Sequence, residues 1–467
     1  MGRARFLLSL LLVSTSAILL SLGGCGDGNL PGNQSVSHHT ILQGKIQHVV
    51  VIFQENRTPD NLFHDPVLIA NGADIANSGL NSSGDTIPLL PTSLSGPYDP
   101  SHYHHDFVAM YDDGRMDGAN KIAVYCWGRE PCPPPNPQFT YVQASDVGPY
   151  FQMAEQYTFG DRMFQTNEGP SFPAHQFIIS GTSAPTATSN MFVSGEGNGD
   201  VGCTAAAGAR VGVIDSRGND SISIYPCFEH PTLTDELDAK GVSWRYYTPS
   251  VKVWSGLNAI RHICQAQTQN GQSVCTGRAW SNVVTPPKQV LIDIADNELP
   301  EVSWVIPSLE NSDHAATCTS KGGPSWVAAI VNAIGASSYW SNTAILITWD
   351  DWGGWYDHVP PPQVINDGSS WGSGYVYGFR VPLIVVSRYA KAGYISHVTH
   401  DFGSILNFIE QVFGLPSLGY ADARADDLSD CFSLNQTPLE FQKVEAPLSA
   451  QYFLNDNTPP TDPDDDQ

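Results

Sequence analysis

Glu55 and Asn56 follow, after Gln54, on the apolar run Val49-Val50-Val51-Ile52-Phe53. A carboxylate and an amide just past a buried strand are costly unless they are paired or bind something. In open α/β sheets, ligands sit beyond the carboxyl ends of strands. One reading makes the two side chains oxygen ligands to a hard cation. The other makes Glu55-Asn56-Arg57 a salt-bridged loop that ends a strand, and the stretch alone supports both. A second acidic site, Asp350-Asp351, follows the apolar run Ala344–Thr348 and precedes Gly353-Gly354. Side chains alternate faces along a strand, so adjacent carboxylates share a ligand only where the strand breaks. Paired carboxylates repel each other, and a cation stabilises them.

Ser171 stands where a helix begins, after Gly169-Pro170. A serine there is usually an N-cap. The same geometry exposes free N–H groups that favour anions, so the hydroxyl could attack a phosphorus held by them. His102, His104 and His105 fall within four residues of DPSHYHHD (99–106). They are metal ligands, donors to phosphate oxygens, or members of a solvated polar loop. Gly368-Ser369-Ser370-Trp371-Gly372 matches the nucleophile-elbow pattern, which needs a strand before it and a helix after it. It has neither within NDGSSWGSGY, so no serine esterase is placed there.

The elements that must position these residues alternate. Strand-like runs cover 49–53, 241–247, 302–307, 344–348 and 380–387, and 158–165 is a strand or connector. Helical patterns cover 147–157, the run from Ser171 to Gly181, 233–240, 325–335 and 401–413. That alternation implies βαβ units and a parallel sheet. Residues 182–232 and 250–295 are irregular excursions carrying cysteines.

The 467 residues are 41% hydrophobic and 15% charged, a composition of a globular protein with a sizeable core, secreted or in an envelope. A net charge of −25 excludes a basic nucleic-acid surface and polybasic docking on anionic lipid. Arg3 and Arg5, the apolar run Phe6–Leu22 and Leu22-Gly23-Gly24-Cys25 form a bacterial lipoprotein signal over 1–25, with lipid on Cys25. A spanning helix is disfavoured, because the run is short. Residues 26–44 are expected to be a tether, 45–445 the folded domain, and 446–467 a disordered acidic tail. The expected location is the bacterial cell envelope. Eight further cysteines suggest disulfides, and neighbour pairing would join 126–132, 203–227, 264–275 and 318–431. The absence of any Cys-x-x-Cys argues against a structural zinc site.

Six stretches in order carry a resemblance: HVVVIFQENRTPDNLF (48–63), DPSHYHHDF with GRMDG (99–118), NEGPSFPAHQF (167–177), SDHAATC (312–318), WDDWGGWYDHVPPP (349–362) and RVPLIVVSRYAKAGYISHVTHDFGSILNFIE (380–410). Together they resemble the bacterial phosphoesterase family of phosphatidylcholine-type phospholipases C and respiratory-burst-inhibiting acid phosphatases. The resemblance implies a three-layer α/β/α sandwich with a mainly parallel central sheet and an alkaline phosphatase-like core. It makes Glu55, Asn56, Asp350 and Asp351 metal ligands and Ser171 the nucleophile, whose oxygen also touches the metal. His102 and His314 would contact phosphoryl oxygens or the leaving group. His175 and His358 lie inside the motifs; each could stand behind the ligands, and structural packing is the favoured role.

The implied cofactor is one divalent metal ion, and all-oxygen ligation favours Ca²⁺, Mg²⁺ or Mn²⁺. The implied reaction is phosphate ester hydrolysis through a phosphoserine, acid phosphatase-like, with a mildly acidic optimum from the histidines. Phospholipase C action on phosphatidylcholine-type lipids is the alternative. A catalytically silent lipoprotein binding a phosphorylated ligand is the reading from another class. The partner is thus a phosphomonoester or phospholipid, with membrane contact only through the lipid anchor and none with nucleic acid. The Asp-Asp pair, the lack of extra C-terminal β domains and the non-adjacent Arg3 and Arg5 lean towards the acid phosphatase branch.

Overall fold

The computed structural model describes residues 42–126, 132–215, 218–220, 222–315, 319–362 and 377–459. Strand β1 (His48–Gln54) runs through the middle of the main sheet. Val49 to Phe53 are all 0% exposed, which suits a β-branched run covered on both faces. Burying each such side chain stabilises by about 1.5–3 kcal/mol.

Eight further strands complete this sheet among the described residues: β2 (Thr158–Phe164), β3 (Trp244–Tyr247), β4 (Val283–Val284), β5 (Val302–Val305), β6 (Thr343–Trp349), β7 (Arg380–Ser387), β8 (Tyr394–Ser396) and β9 (His400–Asp401). The order is β4-β3-β5-β1-β6-β7-β2-β8, with β9 also pairing β2. Every pairing is parallel except those of β7, which is antiparallel to both β6 and β2. Val51 faces Trp304 on one side and Leu346 on the other. The carboxyl ends of β1, β5, β6 and β2 therefore share one rim. The amino end of β7 joins them there.

The helices form two packed groups, one on each face of the sheet. One holds α1 (Ala144–Gln156), α4 (Gln289–Ala295), α5 (Gly322–Gly335) and α7 (Ala450–Asn455). The other holds α2 (Ser171–Ser180), α3 (Leu233–Lys240) and α6 (Phe402–Phe413). The result is a mixed α/β fold with a large, mainly parallel central sheet. Residues 158–165 resolve into a true strand, and the strand expected over 241–247 starts only at Trp244. Gly241, at φ 76°, is the left-handed C-cap of the preceding helix.

Two expectations are corrected. The tail drawn from 446 is structured to 459: Phe453 of α7 is buried edge-on against Trp326, 5.2 Å between ring centroids. Apolar burial holds this stretch despite its acidic neighbours. Residues 460–467 lie outside the described residues. Disulfides join Cys126–Cys132, Cys203–Cys227 and Cys264–Cys275, but Cys431 is a buried free thiol. The fourth pairing is therefore not formed, and Cys318 lies outside the described residues. Outside them also lie the signal segment with Cys25, residues 26–41 of the tether, and the 368–372 motif. Among the described residues no helix is long and apolar enough to cross a membrane.

Candidate active site

The end of β1 separates the two readings of its polar sequel. Arg57 is buried and fully engaged: Nε donates to Asp313 O at 2.9 Å, Nη1 to Asn61 Oδ1 at 3.1 Å and Nη2 to Leu94 O at 3.1 Å. It forms no ion pair with Glu55 in this arrangement. Glu55 and Asn56 are both 0% exposed and turn towards β6 instead. Asn56 takes φ 62°, a left-handed conformation that asparagine tolerates. In it the Asn56 N–H donates to Asp350 Oδ1 at 2.8 Å.

Asp350 and Asp351 sit where β6 breaks, and both are 0% exposed. Asp350 Oδ1 also accepts from the Asp351 N–H at 2.8 Å, and Asp351 Oδ1 accepts from the Gly353 N–H at 2.7 Å. The two glycines are required by close approach as well as by conformation. Gly353 has φ 60°, and a Cβ there would stand 2.5 Å from Asn56 O. Gly354 has φ 71°, and a Cβ there would meet Ser101 O at 2.7 Å. Their bareness lets the β6 loop press against both the end of β1 and the segment carrying His102.

Ser171 is the first residue of α2, with Pro170 at the cap position, so it is not the N-cap. Its Oγ is released from capping and donates to Asp351 Oδ2 at 3.3 Å. One turn on, His175 lies on the same helix face. Its Nε2 is 3.4 Å from Glu55 Oε1 and 3.9 Å from Asp350 Oδ2. Its Nδ1 lies 3.3 Å from Tyr246 Oη, whose proton goes to Trp254 O. Nδ1 must then be the donor, which leaves a neutral ring's Nε2 lone pair facing a carboxylate. That arrangement asks for a proton or a cation between them. Of the two roles the sequence leaves to His175, this is the one behind the ligands rather than packing, and the i, i+4 spacing from Ser171 is the signal that favours it.

The two other histidines are held alike. His102 Nδ1 donates to Pro100 O at 3.1 Å, and its Nε2 accepts from Asn56 Nδ2 at 3.0 Å. That Nε2 is also 4.0 Å from Asp351 Oδ2. His314 Nδ1 donates to Ala315 O at 2.9 Å, and its Nε2 lies 4.0 Å from Asp99 Oδ2. The two rings are 6.3 Å apart, with Trp352 beside one and Trp254 beside the other. His104 is elsewhere, its Nδ1 donating to Glu168 O, and His105 is exposed. The structure thus gathers Glu55, Asn56, Ser171, Asp350, Asp351 and His102 by direct contacts, with His314 adjoining.

The donor set fits a divalent cation. Glu55, His175 and Asp350 can each offer one atom within 4.8 Å of the others. Asn56 Oδ1 and Asp350 Oδ2 are buried with no hydrogen-bond partner, a costly state that a cation relieves. The His175 imidazole nitrogen stands beside these oxygens. Behind it Asp313 accepts from Tyr150 Oη at 2.8 Å and Trp349 Nε1 at 2.9 Å, and burial raises its carboxyl to about 6.

A second buried charge cluster lies on the same rim, at the amino end of β7. Arg380 is 0% exposed; its Nε and Nη2 donate to the two oxygens of Asp357 at 2.9 and 3.0 Å. Nη2 also reaches Asp60 Oδ1 at 3.2 Å, and Nη1 reaches Asp74 O and Asp161 O. Asp60 Oδ2 accepts from both the N–H and Nδ1 of His358, whose Nε2 reaches Asp74 Oδ1 at 2.9 Å. Burial would lower the His358 pKa, but the Asp60 carboxylate raises it to about 9.

Comparison with known proteins adds four findings. The family model described as Phosphoesterase matches residues 46–416. Phospholipase C B of Mycobacterium tuberculosis is 25% identical over 94% of this chain and 87% of its own length. Non-hemolytic phospholipase C of Pseudomonas aeruginosa is 23% identical over 89% of this chain and 62% of its own length. Among solved structures, an alkaline phosphatase superfamily protein from Vibrio parahaemolyticus is 10% identical, with a TM-score of 0.36 over 82% of this chain and 71% of that one.

Proposed function

The chain belongs to the Phosphoesterase family and is a phosphoric ester hydrolase; from that premise we propose that Ser171 is its nucleophile and that the hydrolysis is metal-dependent. The observation that carries this reading is the 3.3 Å contact of Ser171 Oγ with Asp351, at a helix N-terminus beside the Glu55–Asn56–Asp350 donors. A divalent cation held by Glu55, Asn56, Asp350 and Asp351, with His175 adjoining, would neutralise phosphoryl charge and lower the pKa of the Ser171 hydroxyl. Asp351 Oδ2 takes the hydroxyl proton as Oγ attacks phosphorus. The free N–H groups at the start of α2 favour the phosphoryl oxygens. His314, anchored at Nδ1, presents Nε2 to the substrate; protonated there, it donates to a phosphoryl oxygen and gives its proton to the leaving oxygen as the phosphorus–oxygen bond breaks. His102 Nε2 accepts from Asn56 Nδ2 and so acts by orienting the Asn56 amide, with Oδ1 turned to the cation. Water then attacks the phosphoserine phosphorus and gives a proton to the histidine that protonated the leaving oxygen; the phosphorus–Oγ bond breaks, the phosphoryl product leaves, and Oγ regains a proton from Asp351.

For the ester itself, the relatives named phospholipases C favour a phosphatidylcholine-type phospholipid. The Asp350-Asp351 pair favours a second, acid phosphatase-like reading in which the substrate is a phosphomonoester. Turnover of phosphatidylcholine and p-nitrophenyl phosphate, measured side by side with and without chelator, decides between them. Equal rates with and without chelator would overturn the metal dependence. Hydrolysis of neither ester, with the cation restored, would favour a silent binder of phosphorylated ligands. The exported-lipoprotein reading of residues 1–25 belongs to the same proposal. Its test is incorporation of labelled fatty acid, expected to be lost in Cys25→Ala.

A further inference from the structure

A different set of metal-ligating side chains meets at the sheet edge, where β9 pairs with β2. His400 Nε2, Asp430 Oδ1 and Cys431 Sγ form a triangle. Its sides are 3.5 Å from Nε2 to Oδ1, 3.6 Å from Sγ to Oδ1 and 3.9 Å from Sγ to Nε2. A tetrahedral zinc with bonds of about 2.0–2.3 Å has ligand–ligand edges of roughly 3.3–3.6 Å. The side chains already stand within a few tenths of an ångström of that spacing.

The far side of the imidazole is arranged for ligation. His400 Nδ1 donates to Asp426 Oδ1 at 2.7 Å, and Ser404 Oγ donates to the same oxygen at 2.6 Å. A carboxylate behind the ring fixes Nδ1 as the protonated nitrogen and turns Nε2 towards the metal position, as in zinc–histidine–carboxylate arrangements. The Ser396 hydroxyl is 3.0 Å from Nε2 and donates to Asp430 Oδ2 at 2.6 Å, which ties the carboxylate to the imidazole. His400 and Cys431 are buried, while Asp430 is only half-buried and gives access from solvent. The other six described cysteines are paired in disulfides, and Cys431 faces these ligands instead. The sequence argument against zinc considered only Cys-x-x-Cys spacing, which this mixed set does not use.

We propose that His400, Asp430 and Cys431 bind a zinc ion that staples the 429–431 turn and β9 to the edge of the main sheet. A thiolate and a carboxylate balance the 2+ charge of zinc. The Sγ proton, with any proton on Nε2, passes to solvent on binding. The ion also fixes the start of α6, because Asp401, next to His400, is that helix's N-cap. The site takes no part in the Ser171 chemistry.

The test uses the full chain with its disulfides intact, stripped by chelator and titrated with Co²⁺ as a spectroscopic probe, then with Zn²⁺. A thiolate-to-cobalt charge-transfer band is expected and is displaced by zinc. The candidate active site has no thiol among its donors, so cobalt bound there gives no such band. The band should vanish in Cys431→Ser and persist in Cys318→Ser. Asp426→Asn should weaken zinc binding by about 10–100-fold. Should Cys431→Ser fail to fold, the wild-type band and the Asp426→Asn affinity still decide. Absence of the band in the wild type overturns the proposal. So does a band that survives in folded Cys431→Ser, or a Cys318–Cys431 disulfide found by peptide mapping.

Discussion

The rim holds two buried charge clusters built on opposite principles. Around Arg380 the charges are closed upon themselves: one guanidinium spans Asp357 and Asp60, and His358 joins Asp60 to Asp74. Around Asp350 the donors are almost all acceptors, and Asn56 Oδ1 and Asp350 Oδ2 are buried without a hydrogen-bond partner. Both clusters contain two or more carboxylates and a histidine. What separates them is a resident cation: a fixed guanidinium in one, and in the other a set of acceptors that suits the divalent ion proposed above. Buried acidic residues at strand ends therefore point to chemistry when the fold supplies no cation for them, and to architecture when it does.

The comparison can be broken most directly at Ser171. Ser171→Ala should lower phosphoester hydrolysis by about 10³-fold or more while leaving the melting temperature unchanged. Retained activity would remove the nucleophile from the open cluster.

Arg380→Met should do the reverse. Leaving Asp357 and Asp60 buried without their cation should cost about 3–5 kcal/mol of stability, read by denaturant unfolding. Activity per folded molecule should change little. Full stability in this variant would erase the distinction between the clusters.

A pH series sharpens it further. The folded His358 pKa, about 9, lies above its unfolded value of 6.5. Its stabilisation is thus fully present below about pH 6.5 and lost as pH rises through 9. His262, held by Asp235 and Glu229, is raised to about 9 as well and titrates in the same window. The informative quantity is therefore the difference between wild type and His358→Gln, on the order of 2–3 kcal/mol at pH 6 and shrinking by pH 10. A difference independent of pH would count against the ion pair.

The last variant acts on the loop itself. Gly353→Ala introduces a Cβ 2.5 Å from the backbone Asn56 O at a left-handed φ, so the loop must shift, at a cost of more than about 1 kcal/mol. Because the loop carries Asp351, activity should fall by more than that stability loss suggests. Equal activity would show that the loop need not hold its exact place.

Local signals located many elements well. The helix Leu233–Lys240 was readable because Thr232 and Asp235 form a capping box and Gly241 ends it. The strand Arg380–Ser387 was readable as an apolar run with β-branched residues. The positions of Glu55, Asn56, Asp350 and Asp351 are legible as polar breaks after apolar runs, and that of Ser171 as the start of a helix after Gly169-Pro170. What escaped were choices that depend on partners far away in the chain. Whether Arg57 or Arg380 would neutralise acidic neighbours is not a local property: Arg380 meets Asp60 across 320 positions. For Ser171 the sequence leaves open helix cap or nucleophile, and Pro170, which holds the cap position, frees the hydroxyl. The role of His175 is left open because it depends on Glu55 arriving from another strand. Cys431 was assigned a partner by order along the chain, whereas packing set it against His400.

The central position of β1 has a consequence for biosynthesis. Its neighbours Val302–Val305 and Thr343–Trp349 are synthesised some 250 to 300 residues later. The first strand made thus waits longest for company, and its unbroken apolar run stays uncovered while most of the polypeptide emerges. Assembly of the sheet must be late and slow, and a nascent chain arrested before residue 349 would display that run to whatever chaperone or translocation machinery handles it.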